Sequence, residues 1–311
     1  MEKNEQYQGY LIMILAVFSW SFSEIIVKLI HGAVGALTLS FFRFIIGGLF
    51  LLLILVAKRD FSGLFSIIKN NFGLFLISSC FAFGFSNIIY FIGVTFTQAN
   101  IAATIYTTYP IWITIYSIFL LNEKQNLKFK FFGISIGVVG VSILMTHFNF
   151  AGLFSLEYLV GNILVLIGSI MWSLYSVLGK KIQQKEPEIS NCALKYSTLS
   201  SLFAAIPVII ILPFTSEFQT FLIYSAYEWF WIIFLGVIST GFGIWLLFEG
   251  ISRMEVSKGM SLAFFKPIFA TILSFFILSE TPTIILLISI LLVVISIILI
   301  NRNPKSLPNN N

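Results

Sequence analysis

Apolar runs of about twenty residues, separated by short polar clusters, fill the chain from residue 10 to residue 300. A helix rising ~1.5 Å per residue needs about 20 such residues to cross the ~30 Å hydrocarbon core of a bilayer. The pattern predicts ten membrane-spanning helices, at Tyr10–Leu29, Ala36–Ala57, Phe72–Gly93, Ile101–Leu121, Phe129–Thr146, Tyr158–Leu178, Ala193–Leu212, Trp229–Phe248, Lys258–Leu278 and Thr283–Ile300. No run alternates as a barrel strand would, and backbone exposed to lipid must satisfy its own hydrogen bonds. The expected fold class is therefore all-α and polytopic. The leader before the first run lacks net basic character and no small-residue cleavage site follows it, so that run reads as a permanent span.

Composition agrees. Of 311 residues, 58% are apolar and 10% charged, with a formal net charge of +5. About 25% charged residues are usual in a soluble domain, so a soluble enzyme is excluded. The cations form no patch for nucleic acid; their placement reports orientation instead. With the N-terminus inside, the cytoplasmic side receives Lys3, Lys58, Arg59, Lys69, Lys124, Lys128, Lys130, Lys180, Lys181, Lys185, Arg253, Lys258, Arg302 and Lys305. Lys28, Arg43, Lys195 and Lys266 fall within or at the ends of spans, and the outer loops hold acids such as Glu157, Glu217 and Glu228. A multi-pass protein of the plasma membrane with both termini cytoplasmic is expected. Cys80 and Cys192 lack metal-ligand spacing and Asp60 is the only aspartate, so neither a metal nor a cofactor is expected. No GxxxxGK[ST] loop is present to bind ATP, and no selectivity-filter repeat marks a channel.

The sequence also resembles itself. Trp20-Ser21 and Lys28 recur as Trp172-Ser173 and Lys180, a shift of 152, at which Arg43 falls on Lys195. Further on the shift is 157: Gly93 falls on Gly250, Tyr109-Pro110 on Lys266-Pro267 and Asn122-Glu123 on Ser279-Glu280. The reading is two five-helix repeats, 1–150 and 151–300, with a disordered cytoplasmic tail at 301–311. An odd number of spans per repeat makes the second copy enter the membrane upside down, and inverted repeats around a central cavity suit alternating access.

Several segments resemble the EamA-type branch of the drug/metabolite transporter superfamily. They are Ser40-Phe41-Phe42-Arg43-Phe44, Tyr109-Pro110-Ile111, and Leu120-Leu121-Asn122-Glu123 ahead of Gly133, Gly137 and Gly140. The second half matches through Lys266-Pro267-Ile268 and Ile277-Leu278-Ser279-Glu280, and departs in the last span, where Leu, Val and Ile replace the glycines. The resemblance implies ten helices around a cavity and export of amino acids, other metabolites or amphipathic drugs.

A charge at the bilayer centre costs about 2.5–3.5 kcal/mol on insertion scales, so intramembrane charges point to a cavity or a partner. Lys266, about eight residues into its span and so ~12 Å deep, is the leading candidate for binding a substrate carboxylate. Pro267 after it removes a backbone donor and loosens the helix there. Glu24 shares a helix face with Trp20, Ser23 and Lys28, either as a self-neutralising pair with Lys28 or as a cavity acid that binds a cation or exchanges a proton. Asn87, Tyr90, Thr108, Tyr109, Trp112, Trp172 and Tyr175 are further candidate substrate contacts, with Pro110 and Pro267 as kink or gating positions. Arg43, Lys195 and Lys28 read as structural charges, and the glycine series as a helix-packing or dimer face. The expected partners are a small-molecule substrate, lipid, protons as coupling ion and no nucleic acid, for a monomer or homodimer. Aromatic walls with one cation and one acid suit a zwitterionic, partly apolar solute.

Overall fold

The computed structural model describes residues 3–30, 33–279 and 284–302, with backbone alone at positions 3, 24, 28, 99 and 278. Among these residues every regular element is helical. The first half comprises α1 (Lys3–Leu29), α2 (Ala36–Lys58), α3 (Phe72–Thr95), α4 (Ala99–Tyr106), α5 (Tyr109–Leu120) and α6 (Leu127–Thr146). The second comprises α7 (Leu159–Lys185), α8 (Cys192–Ile211), α9 (Ala226–Ser252), α10 (Val256–Ser261), α11 (Phe265–Leu278) and α12 (Ile284–Ile300). Eight helical stretches are long and apolar enough to cross a membrane, and α12 is a shorter apolar helix. The last nine residues, 303–311, lie outside the described residues, as do Glu280 and Thr283.

The run expected as one span at Ile101–Leu121 is two helices, α4 and α5, parted at Thr107 and Thr108. The expected kink at Tyr109-Pro110 is thus displaced towards the N-terminus. Pro110 sits in the first turn of α5, where its missing N–H is not needed. The chain turns just before it, and the hydroxyls of Thr107 and Thr108 bond back to the carbonyls of Thr104 and Ile105, both at 2.7 Å. The corresponding place in the second half, between α10 and α11, is a 3-10 turn over Leu262–Phe264. Likewise α3 and α9 each contain a π-helical stretch, Ile77–Phe85 and Leu235–Phe242, at matching depths in their halves.

Contacts gather the helix ends into two layers. At one, the basic end, Arg253 after α9 donates to Gln8 of α1 at 2.7 Å, and Tyr10 of α1 to Asn301 after α12 at 2.5 Å. Asn71 before α3 donates to Glu186 after α7 at 2.8 Å. At the opposite end Glu217 caps α2, accepting from the backbone N–H of Thr38 at 2.8 Å, and Thr97 donates to Asn162 of α7 at 2.6 Å.

Between these layers, α1 packs on α9 and α11 as α7 packs on α3 and α5. The α2 and α8 helices pack on each other, α2 also on α9 and α8 also on α3, while α6 lies along α12. This pattern is unchanged when α1–α6 are exchanged with α7–α12. Two glycine crossings set it. A Cβ on Gly161 would come within 2.8 Å of the Gly93 carbonyl oxygen, and one on Gly9 within 3.2 Å of that of Gly250. Only hydrogen at these positions lets the two backbones approach so closely.

Candidate functional site

Where α1 and α7 cross the broken helices, aromatic rings and hydroxyls meet. Trp20 of α1, buried, packs edge-on against Trp172 of α7 with centroids 6.1 Å apart. Trp172 lies 5.5 Å from Phe83, and the half-buried Tyr90 of α3 lies 4.6 Å from Tyr106, itself 6.0 Å from Tyr109. These rings come from both halves and form an aromatic wall in two groups, Trp20, Trp172 and Phe83 in one and Tyr90, Tyr106 and Tyr109 in the other. Tyr175 lies behind the wall, not on its surface. It is 0% exposed, stacked on Phe83 at 4.3 Å and flanked by Tyr196 and Phe248, and its hydroxyl pairs with Ser200 at 2.9 Å.

The breaks in the helices are held by serines of the opposite half. The carbonyl of Tyr106, the last residue of α4, is one of those a helix end leaves without an intrahelical partner; Ser169 of α7 donates its hydroxyl to it at 3.0 Å. Ser173, one turn on, donates to the Tyr109 carbonyl at 3.0 Å. In the second half Ser21 of α1 donates to the Lys266 carbonyl at 3.1 Å. Ser21 and Ser173 are both fully buried. The sequence pattern does not single out these serines, although Ser21 and Ser173 stand beside the repeated tryptophans; a hydroxyl on a helix says nothing by itself about which carbonyl will cross it.

Lys266 and Pro267 are half-buried near the start of α11. Asn87 spends its amide on the Phe83 carbonyl at 3.0 Å, inside the π-helical stretch. Thr108 lines an open, largely apolar groove of about 390 Å³ with Thr104, Val138, Ser142, Phe154 and Asn162. Trp112 is half-buried on α5. Arg43 donates from Nε to the Thr240 hydroxyl of α9 at 3.2 Å. Lys195 is far from these groups, fully buried at the basic end and 2.7 Å from Asp60. The side chains of Glu24 and Lys28 lie outside the described residues.

A second polar centre, which the sequence pattern does not predict, closes the basic end. Glu123, in the turn after α5, accepts from the backbone N–H groups of Val256 at 3.0 Å and Ser257 at 3.5 Å, capping α10. Burial pushes its carboxyl above the usual carboxylate range, outweighing the opposing attraction of Lys180 and the Val256 N–H. Lys180 of α7 lies 3.8 Å from Glu123 and donates to the carbonyls of Ile251, at 2.6 Å, and Met254. Lys130 of α6 and Lys258 of α10 share Glu255, at 2.8 and 3.3 Å. Lys130, Lys180 and Lys258, expected only as cations of the cytoplasmic side, are buried. The signal available was Glu123 in a repeated motif and Lys180 in register with Lys28.

A family model described as the EamA-like transporter family matches residues 7–146 and 159–302. An uncharacterized transporter of Clostridium kluyveri is 25% identical over 304 residues, covering 96% of this chain and 95% of the relative. The uncharacterized transporters YoaV and YetK of Bacillus subtilis are 25% and 26% identical, covering 88% and 89% of the chain and 90% and 81% of themselves. A protein of solved crystal structure superposes with a TM-score of 0.76 at 20% identity, over 95% of this chain and 96% of that one, which establishes a shared fold.

Proposed function

The chain belongs to the EamA-like transporter family, within the drug/metabolite transporter superfamily, and from that premise we propose a secondary transporter that exports a small organic solute, an amino acid or related metabolite, across the plasma membrane. In this reading ten passes form two inverted repeats with both termini cytoplasmic, and the two halves rock about a central site. Protons are the candidate coupling ion, with Glu24 as the acid that carries them. The packing pattern that survives exchange of the halves supports the repeat, as does the family match over two separate stretches.

One observation carries the reading. Both halves have an irregular turn just ahead of a proline, Thr107-Thr108 before Tyr109-Pro110 and the 3-10 turn Leu262–Phe264 before Lys266-Pro267, and a serine from the first helix of the other half donates to the carbonyl of the residue preceding each proline. Irregular backbone at membrane depth is tolerated only inside protein or along a cavity, and in transporters such breaks flank the substrate. Lys266 beside one break supplies a cation for a carboxylate, and Trp20, Trp172 and Tyr109 supply apolar surface. The ion cluster around Glu123 ties the two halves together at the basic end, and a groove lies among α4, α6 and α7 at Thr108 and Asn162. The apolar lining of the groove favours one second reading, efflux of amphipathic cations, against which Lys266 stands because like charges repel strongly in a dry site.

Flux into proteoliposomes separates these readings. With labelled leucine as zwitterion and tetraphenylphosphonium as lipophilic cation, Lys266→Ala abolishes leucine flux and leaves or raises cation flux if the first reading holds. Unchanged leucine flux would remove Lys266 from the site. An imposed pH gradient that drives leucine equally in the wild type and Glu24→Gln would remove Glu24 as proton carrier.

A further inference from the structure

Ser21 and Ser173 share more than position. The Oγ of Ser21 lies 2.8 Å from the Val17 carbonyl of its own helix and 3.1 Å from that of Lys266 across the crossing. The Oγ of Ser173 lies 2.7 Å from the Ser169 carbonyl of its own helix and 3.0 Å from that of Tyr109. Each hydroxyl has one proton and two acceptors, one fixed one turn back and one on a separate helix of the other half. We propose that Ser21 and Ser173 are positioning residues for transport: two-position catches that set Lys266 and Tyr109 in one state and release them in the other. The proposal rests on the transporter reading above and adds to it the parts that let the broken helices move.

The physical reason is the cost of an unpaired hydroxyl in an apolar interior, about 1–3 kcal/mol. A serine whose only acceptor lay across the crossing would resist separation by that amount. These two keep an acceptor on their own helix, so the proton swings back as the crossing helix leaves. The carbonyls of Lys266 and Tyr109 are equally protected, since each has a second lone pair for a helix bond. The catch therefore holds the position by the crossing bond alone, and release costs that one bond, not the full penalty of an unpaired hydroxyl.

The two catches are unequal. The break before Tyr109 is also tied by Ser169, which donates to the Tyr106 carbonyl at the end of α4. The residue in register with Ser169 in the first half is Val17, which has no hydroxyl to offer. At these crossings the α4–α5 break is held by two hydroxyls and the start of α11 by the one on Ser21. The start of α11, with Lys266, is the side that lets go more readily.

Thiol labelling in membrane vesicles tests this without knowing the substrate. In a Cys80→Ser, Cys192→Ser background, Lys266→Cys and Tyr109→Cys are each reacted with a water-soluble maleimide. Ser21→Ala should change the labelling rate at position 266 by about three- to ten-fold, the ratio expected for one hydroxyl bond inside a membrane protein. Ser21→Thr, which keeps the hydroxyl, should restore it, and position 109 should stay within about two-fold. Ser173→Ala should do the converse, with a smaller change because Ser169 remains. Equal rates in Ser21→Ala and its parent, or equal changes at both reporters, would overturn the catch. Leucine flux in proteoliposomes is read alongside in the Cys80→Ser, Cys192→Ser parent that keeps Lys266 and Tyr109: Ser21→Ala should raise KM and Ser21→Thr restore it. If the parent carries no leucine, the choice of substrate fails and the labelling still judges the catch.

Discussion

Lys180 and Glu123 face each other at 3.8 Å across the two halves of the chain, each less than a tenth exposed. Neither is a simple ion pair. Glu123 spends its oxygens on the first N–H groups of α10, and Lys180 spends its protons on the carbonyls that end α9. The pair thus joins the turn after α5, the end of α7 and the α9–α10 turn at one point. Separating the halves at this end means parting charges already taken out of water.

Removing one partner of a buried pair typically costs about 3–5 kcal/mol because the other is left uncompensated. Lys180→Met is therefore expected to lower the thermal unfolding midpoint strongly, and Glu123→Gln to do so less, since the amide oxygen still caps α10. The double variant should be less destabilised than the sum of the two. Unfolding in detergent, followed by tryptophan fluorescence, gives all three values; strict additivity would show that the two residues do not act together.

Stability should fall with rising pH through Glu123. Burial raises its carboxyl above the ordinary carboxylate range, so the folded state binds its proton more tightly than the unfolded chain does. The stabilisation is complete below the unfolded value and lost as pH climbs through the folded one. Lys180 and Lys130 oppose the shift and Glu255 adds to it. Unfolding midpoints measured upward from the ordinary carboxylate range should slope downward in the wild type and flatten in Glu123→Gln. A parallel slope in both would assign the effect elsewhere.

Asp60 behaves in the opposite sense. Hydrogen bonds from Lys195, Asn191 and Ser190 hold its carboxyl well below the usual range. Its contribution is present above the unfolded value and lost as pH falls through the folded one. Asp60→Ala leaves Lys195 buried without its carboxylate, so it should unfold at lower temperature than Asp60→Ala combined with Lys195→Met. Should the double variant prove the weaker, Lys195 would be satisfied by the Ser62 carbonyl and the Ser190 hydroxyl alone.

The glycine crossings make a steric prediction. A methyl group on Gly161 would meet the Phe96 backbone at 2.5 Å and the Gly93 carbonyl at 2.8 Å, so α7 and α3 must part. Gly161→Ala should cost about 1–3 kcal/mol, as overpacking usually does. Gly73, where a methyl group would meet nothing within 4 Å, is the control: Gly73→Ala should leave the unfolding midpoint near that of the wild type.

How legible was the site? Trp20, Trp172, Tyr109 and Lys266 stood out because they recur at two fixed offsets, and the structure pairs Trp20 with Trp172 and sets Tyr109 against Tyr106. Tyr175 carried the same polar-stripe signal yet is sealed among Phe83, Tyr196 and Phe248. Lys130, Lys180 and Lys258 were legible only as cations of the cytoplasmic side; that they are buried was not.

By itself the sequence determined the all-helical membrane class and the family, because hydropathy over a bilayer's thickness is a local property that each run carries alone. Only the tertiary structure decided that Ser21 reaches Lys266, that Glu123 caps α10, and that the chain breaks before Pro110 and not at it. Those outcomes depend on how far each helix is rotated and how closely it crosses its neighbour. Crossings such as Gly161 on Gly93 set that distance, and they join residues scores of positions apart.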